Sequence, residues 1–219
     1  MHINYLYVVV LSATAAPVIA GMIRFPFLPV EMRSFFYFFI LVLFEEIANA
    51  ITQSRGIDNL WINNLFGLVE GIYFLMLFRY WEKSPQFRII CHVLIGIYVL
   101  TWLFTSLTRQ QFVEYNVIMK SIESVFISFA SIYIIMRLTL NRTESVFHDY
   151  RFWMLATTLI FFSTSLVLQA TADLILEDGS LFRAHSWIFY IGIGVTCNLL
   201  YTFGFLYYFR NNIQTETFS

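Results

Sequence analysis

The sequence carries very little charge. Only 12% of its 219 residues are Asp, Glu, Lys or Arg, whereas 59% are hydrophobic and 20% are aromatic. A soluble globular domain has about 25% charged and about 45–50% apolar residues. The composition therefore excludes soluble and disordered classes and indicates a polytopic membrane protein. The net charge of −1 shows no excess of basic residues of the kind that binds nucleic acid.

Cysteine is also scarce, and the common catalytic motifs are missing. Cys91 and Cys197 both lie inside apolar runs, which argues against a disulfide framework or a thiolate metal site. No HExxH, GxSxG, GxxxxGK or CxxC motif occurs. The histidines are scattered between opposite membrane faces, so they cannot assemble a zinc site. The last apolar segment has no lysine, which disfavours retinal as a cofactor.

Long apolar runs are what the sequence does contain. A spanning helix uses roughly 20 residues, so a chain of this length that holds seven of them has no room for a soluble catalytic domain. We therefore predict an all-α fold, with a single seven-helix transmembrane domain over residues 1–219. No Lys or Arg precedes the first run, so we interpret it as a retained helix rather than a cleaved signal peptide. The predicted spans are approximately 5–23, 34–51, 60–80, 88–107, 112–136, 152–176 and 184–209.

The distribution of Lys and Arg between the loops predicts the orientation. One side carries Arg24, Arg33, Arg79, Lys83, Arg88, Arg137, Arg142, Arg151 and Arg210. The other side carries only Arg55, Arg109 and Arg183. The positive-inside rule then places the N-terminus outside and the C-terminus in the cytoplasm, and the Trp residues near the predicted helix ends fit an interfacial belt. We expect a multi-pass protein of the inner (cytoplasmic) membrane.

Several ionisable side chains lie within the apolar segments, where a charge costs about 2.5–3.5 kcal/mol on insertion scales. At a rise of about 1.5 Å per residue, these side chains share one layer in the outer half of the bilayer. Residues three, four or seven apart share a helix face, which groups the polar residues into four stripes. The stripes are Glu46, Asn49 and Gln53; Asn63, Gly67 and Glu70; Asn116, Lys120 and Glu123; and Ser165, Gln169 and Asp173.

Aligned stripes of this kind predict an outward-open acidic pocket. The candidate binding residues are Glu45, Glu46, Asn49, Asn63, Glu70, Asn116, Lys120, Glu123, Gln169 and Asp173. The acids outnumber the single base, Lys120, and an acid without a partner in a low dielectric holds a proton. We therefore expect a proton or cation as the occupant, with lipid as a further candidate. Coordination of Ca²⁺ or Mg²⁺ by the acids alone suits the residue types, but nothing in the spacing selects it.

A purely structural interpretation remains open for part of this layer. Ser124, Ser128 and Ser131 continue the third stripe and suit interhelical hydrogen bonds, each worth roughly 0.6 kcal/mol. One of Glu45 and Glu46 can form a structural ion pair with Lys120 while the other stays protonated. These interactions alone would stabilise the bundle without binding anything.

One segment resembles a known family. The run Gly56-Ile57-Asp58-Asn59-Leu60-Trp61-Ile62-Asn63-Asn64-Leu65-Phe66, followed by Glu70, resembles a family of small uncharacterised multi-span membrane proteins of Bacteroidota. The second helix of that family carries a similar acidic position, here Glu45 or Glu46. The resemblance implies a bacterial membrane protein and no particular reaction.

Together these features predict a non-enzymatic sensor or receptor-like module that passes a helix shift to a signalling partner in the cytoplasm or membrane. Besides the lipid bilayer and that partner, a homo-oligomer is compatible with the sequence. The alternative is a proton- or cation-coupled transporter or channel, which needs a polar path to the cytoplasm. A third interpretation is an intramembrane lipid hydrolase using Ser163 or Ser165 with Asp173, although no histidine lies at the matching depth to act as base.

Overall fold

Helices form most of the structure, a computed structural model that describes residues 5–108, 117–140, 146–171 and 180–216. Seven helices in these ranges have stretches long and apolar enough to cross a membrane, which confirms the prediction of a helical, multi-pass membrane protein. They are α1 (Tyr5–Arg24), α2 (Val30–Ser54), α3 (Leu60–Trp81), α4 (Pro85–Thr108), α5 (Val117–Leu140), α6 (Tyr150–Ala170) and α7 (Ser180–Glu216). Short 3-10 turns at Phe25–Phe27 and Val146–His148 precede α2 and α6.

Proline and glycine mark the breaks between the first helices. Pro29 caps α2 with an extended backbone, and Pro85 begins α4, where its missing N–H would be unpaired in any case. Gly56 follows α2 with a φ of 68°, the left-handed conformation that glycine adopts without steric cost. These residues separate apolar runs that would otherwise be continuous helix.

Several predicted spans differ from the observed helices. Helix α5 continues to Leu140 rather than ending at residue 136, and α7 runs from Ser180 to Glu216 rather than from residue 184 to residue 209. Helix α2 begins at Val30 rather than at residue 34, since the cap at Pro29 lets the helix start directly after it. The sixth span was expected to reach residue 176, but α6 ends at Ala170. Thr171 is the C-cap, with φ −104° and ψ 5°, and its hydroxyl donates to the Val167 carbonyl. The predicted start of the fifth span, residues 112–116, lies outside the described residues.

Six of the helices pack in a ring. Its order is α1, α2, α3, α5, α6 and α7, and α7 packs back against α1. Helix α4 lies beside this ring against α3 and α5, and it contains the least buried of the seven spans. Large apolar side chains such as Leu100 and Phe104 on α4 are each 67% exposed, as expected for a surface that contacts lipid rather than water.

One end of the bundle is filled with aromatic side chains, and we call it the aromatic end. It contains Phe35, Phe39, Phe74, Phe78, Phe162, Tyr201 and Phe205, all buried. The Phe35 ring lies 6.0 Å from that of Phe74 and 5.9 Å from that of Tyr201, so rings from three helices meet. Trp81, which was expected in an interfacial belt, is instead buried with its ring 5.5 Å from Phe35. Aromatic packing of this density closes the interior.

The opposite end of the bundle is polar, and we call it the polar end. Phe35 near the start of α2 contacts Trp81 at the end of α3, whereas Asn49 late in α2 bonds Asn63 early in α3. The two helices are therefore antiparallel. The last turns of α2 and the first turns of α3 and α5 bring their polar side chains to this end.

Candidate ion-binding site at the polar end

A lysine between two glutamates is the centre of the candidate site. Lys120 Nζ on α5 lies 3.0 Å from Glu70 Oε2 on α3 and 3.0 Å from Glu123 Oε2 on its own helix. We call these three residues the acid–lysine triad. The exposed side-chain fractions are 24% for Lys120, 12% for Glu70 and 0% for Glu123. The Lys120–Glu70 pair therefore ties α5 to α3 in a largely buried position.

The two contacts of Lys120 are unequal despite their equal length. The ammonium of Lys120 donates a hydrogen bond to Glu70 Oε2. Neither carboxyl oxygen of Glu123 accepts a hydrogen bond, although both are buried. Because the strength of a hydrogen bond depends on its angle as well as its length, the geometry favours Glu70 as the partner of Lys120. Glu123 contributes a buried acid that lies close to the ammonium but is poorly aligned with it.

A second polar group connects α2 to α3, and we call it the amide chain. Asn49 Nδ2 donates to the carboxylate of Glu45 and to Asn63 Oδ1, the latter at 2.8 Å. Asn49 is buried, and its own Oδ1 has no hydrogen-bond partner. A buried carbonyl oxygen left without a donor is costly, so a donor or a cation beside it would stabilise the site.

A small cleft with room for about one water molecule lies between α3, α4 and α5. Its lining residues are Asn63, Asn64, Gly67, Tyr98, Trp102, Met119 and Lys120. Asn63 also belongs to the amide chain, and Lys120 to the triad, so the cleft joins the two groups. Pockets for organic ligands usually enclose about 300–1,000 Å³. The size of this cleft suits water, a proton carrier or a small ion.

Two side chains from α4 form the outer wall of the cleft. The Tyr98 hydroxyl donates to the Gly67 carbonyl at 2.9 Å, and Trp102 Nε1 donates to the Asn64 carbonyl at 3.3 Å. The sequence analysis missed Tyr98. The available signal was a tyrosine inside an apolar segment, since a buried hydroxyl requires a hydrogen-bond partner. The lateral position of α4 places the cleft at a corner of the ring rather than on its axis.

The structure brings six of the candidate binding residues into these two groups. Glu45, Asn49 and Asn63 form the amide chain, and Glu70, Lys120 and Glu123 form the triad. Gln169 is buried in the last turn of α6. Asn116 and Asp173 lie outside the described residues.

The contacts of the neighbouring glutamates add to the sequence analysis and correct it in one place. Asn49 bonds Glu45, because a spacing of four along the helix brings Glu45 under the Asn49 amide. Glu46 forms no hydrogen bond or ion pair within the part of the chain that the structure describes. The structural ion pair was expected between Lys120 and Glu45 or Glu46, but the acids that Lys120 pairs with are Glu70 and Glu123. Glu70 lies on the neighbouring helix α3, and Glu123 lies three residues further along α5 itself.

The serines deeper in the bundle form interhelical and local hydrogen bonds. Ser128 Oγ lies 3.4 Å from Ser163 Oγ, which links α5 to α6, and Ser131 donates to the Ile127 carbonyl. This is the structural role that the sequence allowed for the serine stripe. The Ser165 hydroxyl is buried without a hydrogen-bond partner, so in the described residues no base activates it for hydrolysis.

The described residues of the polar end do not form the kind of ligand group that binds a metal ion. Within the described ranges, no group of three or more His, Cys, Asp or Glu side chains is placed to hold a metal ion. This weighs against Ca²⁺ or Mg²⁺ coordination by Glu45, Glu46 and Glu70. Asp173, the remaining acid of that hypothesis, lies outside the described residues.

Comparisons with protein-family models, curated proteins and solved structures gave no significant match. The resemblance to the Bacteroidota membrane family therefore stays a prediction. The functional conclusion depends on the geometry of the polar end.

Proposed function

We propose that the protein is a membrane sensor whose polar end takes up a proton or a monovalent cation. Uptake shifts α5 relative to α3, and the shift is passed to a partner protein in the cytoplasm or membrane. The observation that carries this proposal is the Lys120–Glu70 ion pair between the two helices, with Glu123 as a second acid beside the same ammonium.

The triad is sensitive to charge because one base serves two acids. Charges interact strongly where water is excluded, so adding one positive charge alters the energy of the cross-helix pair. A ligand can shift a conformational equilibrium only by its differential affinity for the two states. A proton or cation that binds beside Lys120 has that differential affinity, since it competes directly with Lys120 for the carboxylates.

The two ends of the bundle suit a sensor more than a channel. The polar end, which the Lys and Arg distribution places outside, offers a water-sized cleft and buried acids. The aromatic end is filled by rings from α2, α3, α6 and α7. A helix shift that begins at the triad reaches the cytoplasmic loops through these packed rings, without an aqueous path.

A proton- or cation-coupled transporter is the second candidate, and buried hydroxyls favour it. Beyond the triad, Ser128 lies 3.4 Å from Ser163. Closer to the aromatic end, Thr158 Oγ1 lies 2.7 Å from the Tyr201 hydroxyl. Transport would use these hydroxyls as steps toward the cytoplasm and would require the aromatic end to open.

A distance measurement between α3 and α5 tests the sensor. Spin labels at Leu65→Cys and Ile118→Cys occupy exposed positions near the start of each helix, and the native thiols Cys91 and Cys197 are buried. In liposomes, we expect the interlabel distance to change with pH or on addition of Na⁺ or K⁺. Lys120→Met should abolish that change.

The Glu82→Gln variant is the matched control, because Glu82 pairs with Arg137 at the other end of the bundle, at 3.9 Å. It should respond like the parent protein. An interlabel distance that stays constant across pH and across both cations would overturn the sensor proposal. A pH-sensitive dye inside the same liposomes separates the candidates, since a transporter produces flux and a sensor does not.

A further inference from the structure

We infer that the ligand of the triad is a proton and that Glu123 holds it. In this assignment Lys120 and Glu70 form the charged pair, and Glu123 beside them is a neutral carboxylic acid. The inference rests on the proposed sensor function and names its ligand. It excludes a metal cation as the resident occupant of the triad.

The unequal geometry around Lys120 supports this distribution of charge. The hydrogen bond from Lys120 reaches Glu70, whereas both oxygens of Glu123 lack one and the side chain has no exposed surface. An ionised carboxylate normally accepts several hydrogen bonds when it is buried. A carboxylate with none would be an uncompensated buried charge, and such a group neutralises rather than persists.

The charges on the surrounding helices point the same way. From α3 the facing group is Glu70, and from α4 it is the Tyr98 hydroxyl, which already donates to Gly67. From α5 the base beside Glu123 is Lys120, since Arg137 in the last turn pairs with Glu82 at the other end of the bundle. Helix α6 contains no acid or base beyond Arg151 in its first turn. Glu45 on α2 adds a further acid through the amide chain. Positive charge is therefore too scarce here to neutralise two ionised glutamates.

A metal cation would have to displace the ammonium of Lys120, which occupies the position between the two carboxylates. Lys120 Nζ lies at 3.0 Å from one oxygen of each acid. No other group of three potential ligands supports a metal among the described residues. A proton requires no coordination shell and fits on an oxygen of Glu123 that has no other partner.

This assignment gives the triad two states. With Glu123 neutral, Lys120 pairs across to Glu70 and holds α5 against α3. When Glu123 loses its proton to water, its carboxylate competes for the ammonium. Because Lys120 and Glu123 are three residues apart on one helix, the pair then forms within α5 and the tie to α3 weakens. Acid therefore strengthens the contact between the helices, and base loosens it.

Solid-state NMR of the full-length protein in liposomes tests the assignment. The carboxyl carbons of labelled glutamates are assigned through backbone correlations and compared at neutral pH. We expect the Glu123 carbon at the shift of a protonated acid and the Glu70 carbon at that of a carboxylate. In Glu70→Gln, the carboxyl carbon of Glu123 should show the chemical shift of a carboxylate, because Glu123 is then the acid of the triad that remains to pair with Lys120. Glu46→Gln should change neither signal.

The results that would overturn the inference differ from those that would overturn the sensor. A Glu123 carbon at the carboxylate position in the parent protein at neutral pH overturns the proton assignment, even if the α3–α5 distance responds to Na⁺. A protonated Glu123 combined with an α3–α5 distance that never changes supports the assignment and overturns the sensor. The parent protein alone decides the first question, so the result does not depend on whether a variant folds.

Discussion

Gly67 on α3 lies directly beneath the side chain of Lys120 on α5. A methyl group at Gly67 would come to 3.0 Å from Lys120 Nζ and 3.1 Å from Lys120 Cε. The absence of a side chain at this position is therefore what lets the ammonium cross α3 and reach Glu70. A glycine that would only weaken an isolated helix has a specific use in the triad.

We expect Gly67→Ala to reduce the free energy of unfolding by about 1–2 kcal/mol, because an added methyl group in a packed site forces its neighbours to move. The same change in the Lys120→Ala background should be neutral or stabilising, since alanine favours a helix by about 1 kcal/mol over glycine. Titration with SDS in mixed micelles measures all four proteins. Equal effects in both backgrounds would show that Gly67 and Lys120 are energetically independent.

Gly71, one turn further along α3, makes room for the Tyr98 ring. A methyl group at Gly71 would lie 2.5 Å from Tyr98 Cε1 and 2.8 Å from Tyr98 Cζ. A ring cannot yield as a lysine can, so we expect Gly71→Ala to destabilise the protein by about 1–3 kcal/mol. Thermal unfolding in detergent checks this. Gly96→Ala on α4 is the control, because nothing lies within 4 Å of its added methyl group, and it should be neutral or stabilising.

The Tyr98 hydroxyl holds α4 against α3 through the Gly67 carbonyl. Tyr98→Phe removes this buried hydrogen bond and should cost about 0.5–1.5 kcal/mol. Tyr133→Phe is the comparison, since Tyr133 is 37% exposed and its ring stacks on Phe87. If both variants lost the same stability, the hydroxyl of Tyr98 would not be what holds α4. Unfolding in SDS titration provides the measurement.

Lys120→Met should make stability depend on pH in a defined direction. Removing one partner of a buried ion pair costs about 3–5 kcal/mol, and the lower figure suits Lys120 because it is partly exposed. The loss is largest at neutral pH, where the carboxylate of Glu70 has no base to compensate it, whereas Glu123 is already neutral. Acid removes this remaining buried charge and relieves the loss, so the variant should regain stability as pH falls. A variant whose deficit is constant with pH would contradict this account.

The apolar runs predicted the helices because hydrophobic length alone determines what can span a bilayer. The spacing of Asn63, Gly67 and Glu70 likewise predicted a shared face, and the structure places all three along the polar groups. Residues three and four apart share a helix face, so helical spacing alone allowed either Glu46 or Glu45 as the neighbour of Asn49. The structure shows that the bond is to Glu45.

The position of α4 could not be predicted either. Sequence order suggests that consecutive helices are neighbours around a ring, but α3 packs directly against α5 and leaves α4 beside them. The Lys120–Glu70 contact lies between these two helices and joins residues far apart in the chain. Long-range pairs of this kind leave no periodic signal in a single sequence.

The aromatic end provides the last prediction. Phe35 is fully buried and its ring meets Phe74, Trp81 and Tyr201, so it joins α2 to α3 and α7. Phe35→Ala should cost about 3–5 kcal/mol, because the cavity it leaves cannot be filled by neighbouring rings. Thermal unfolding in detergent measures the loss.

Phe44→Ala on the same helix is the control, because it makes the same change in helix propensity without removing a buried side chain. Phe44 is 63% exposed and its substitution removes a lipid contact rather than a core contact, so we expect the free energy of unfolding to change by no more than about 0.5 kcal/mol.

A second substitution at Phe35 tests whether the aromatic end carries the helix shift. If it does, Phe35→Leu should leave the pH-dependent distance change near the triad intact but reduce the distance change at the far ends of α3 and α5. Spin labels at Met76→Cys and Met136→Cys, both exposed, report on those ends. A full response at both ends in Phe35→Leu would mean that the shift travels through the helices as rigid bodies and does not need the aromatic contacts.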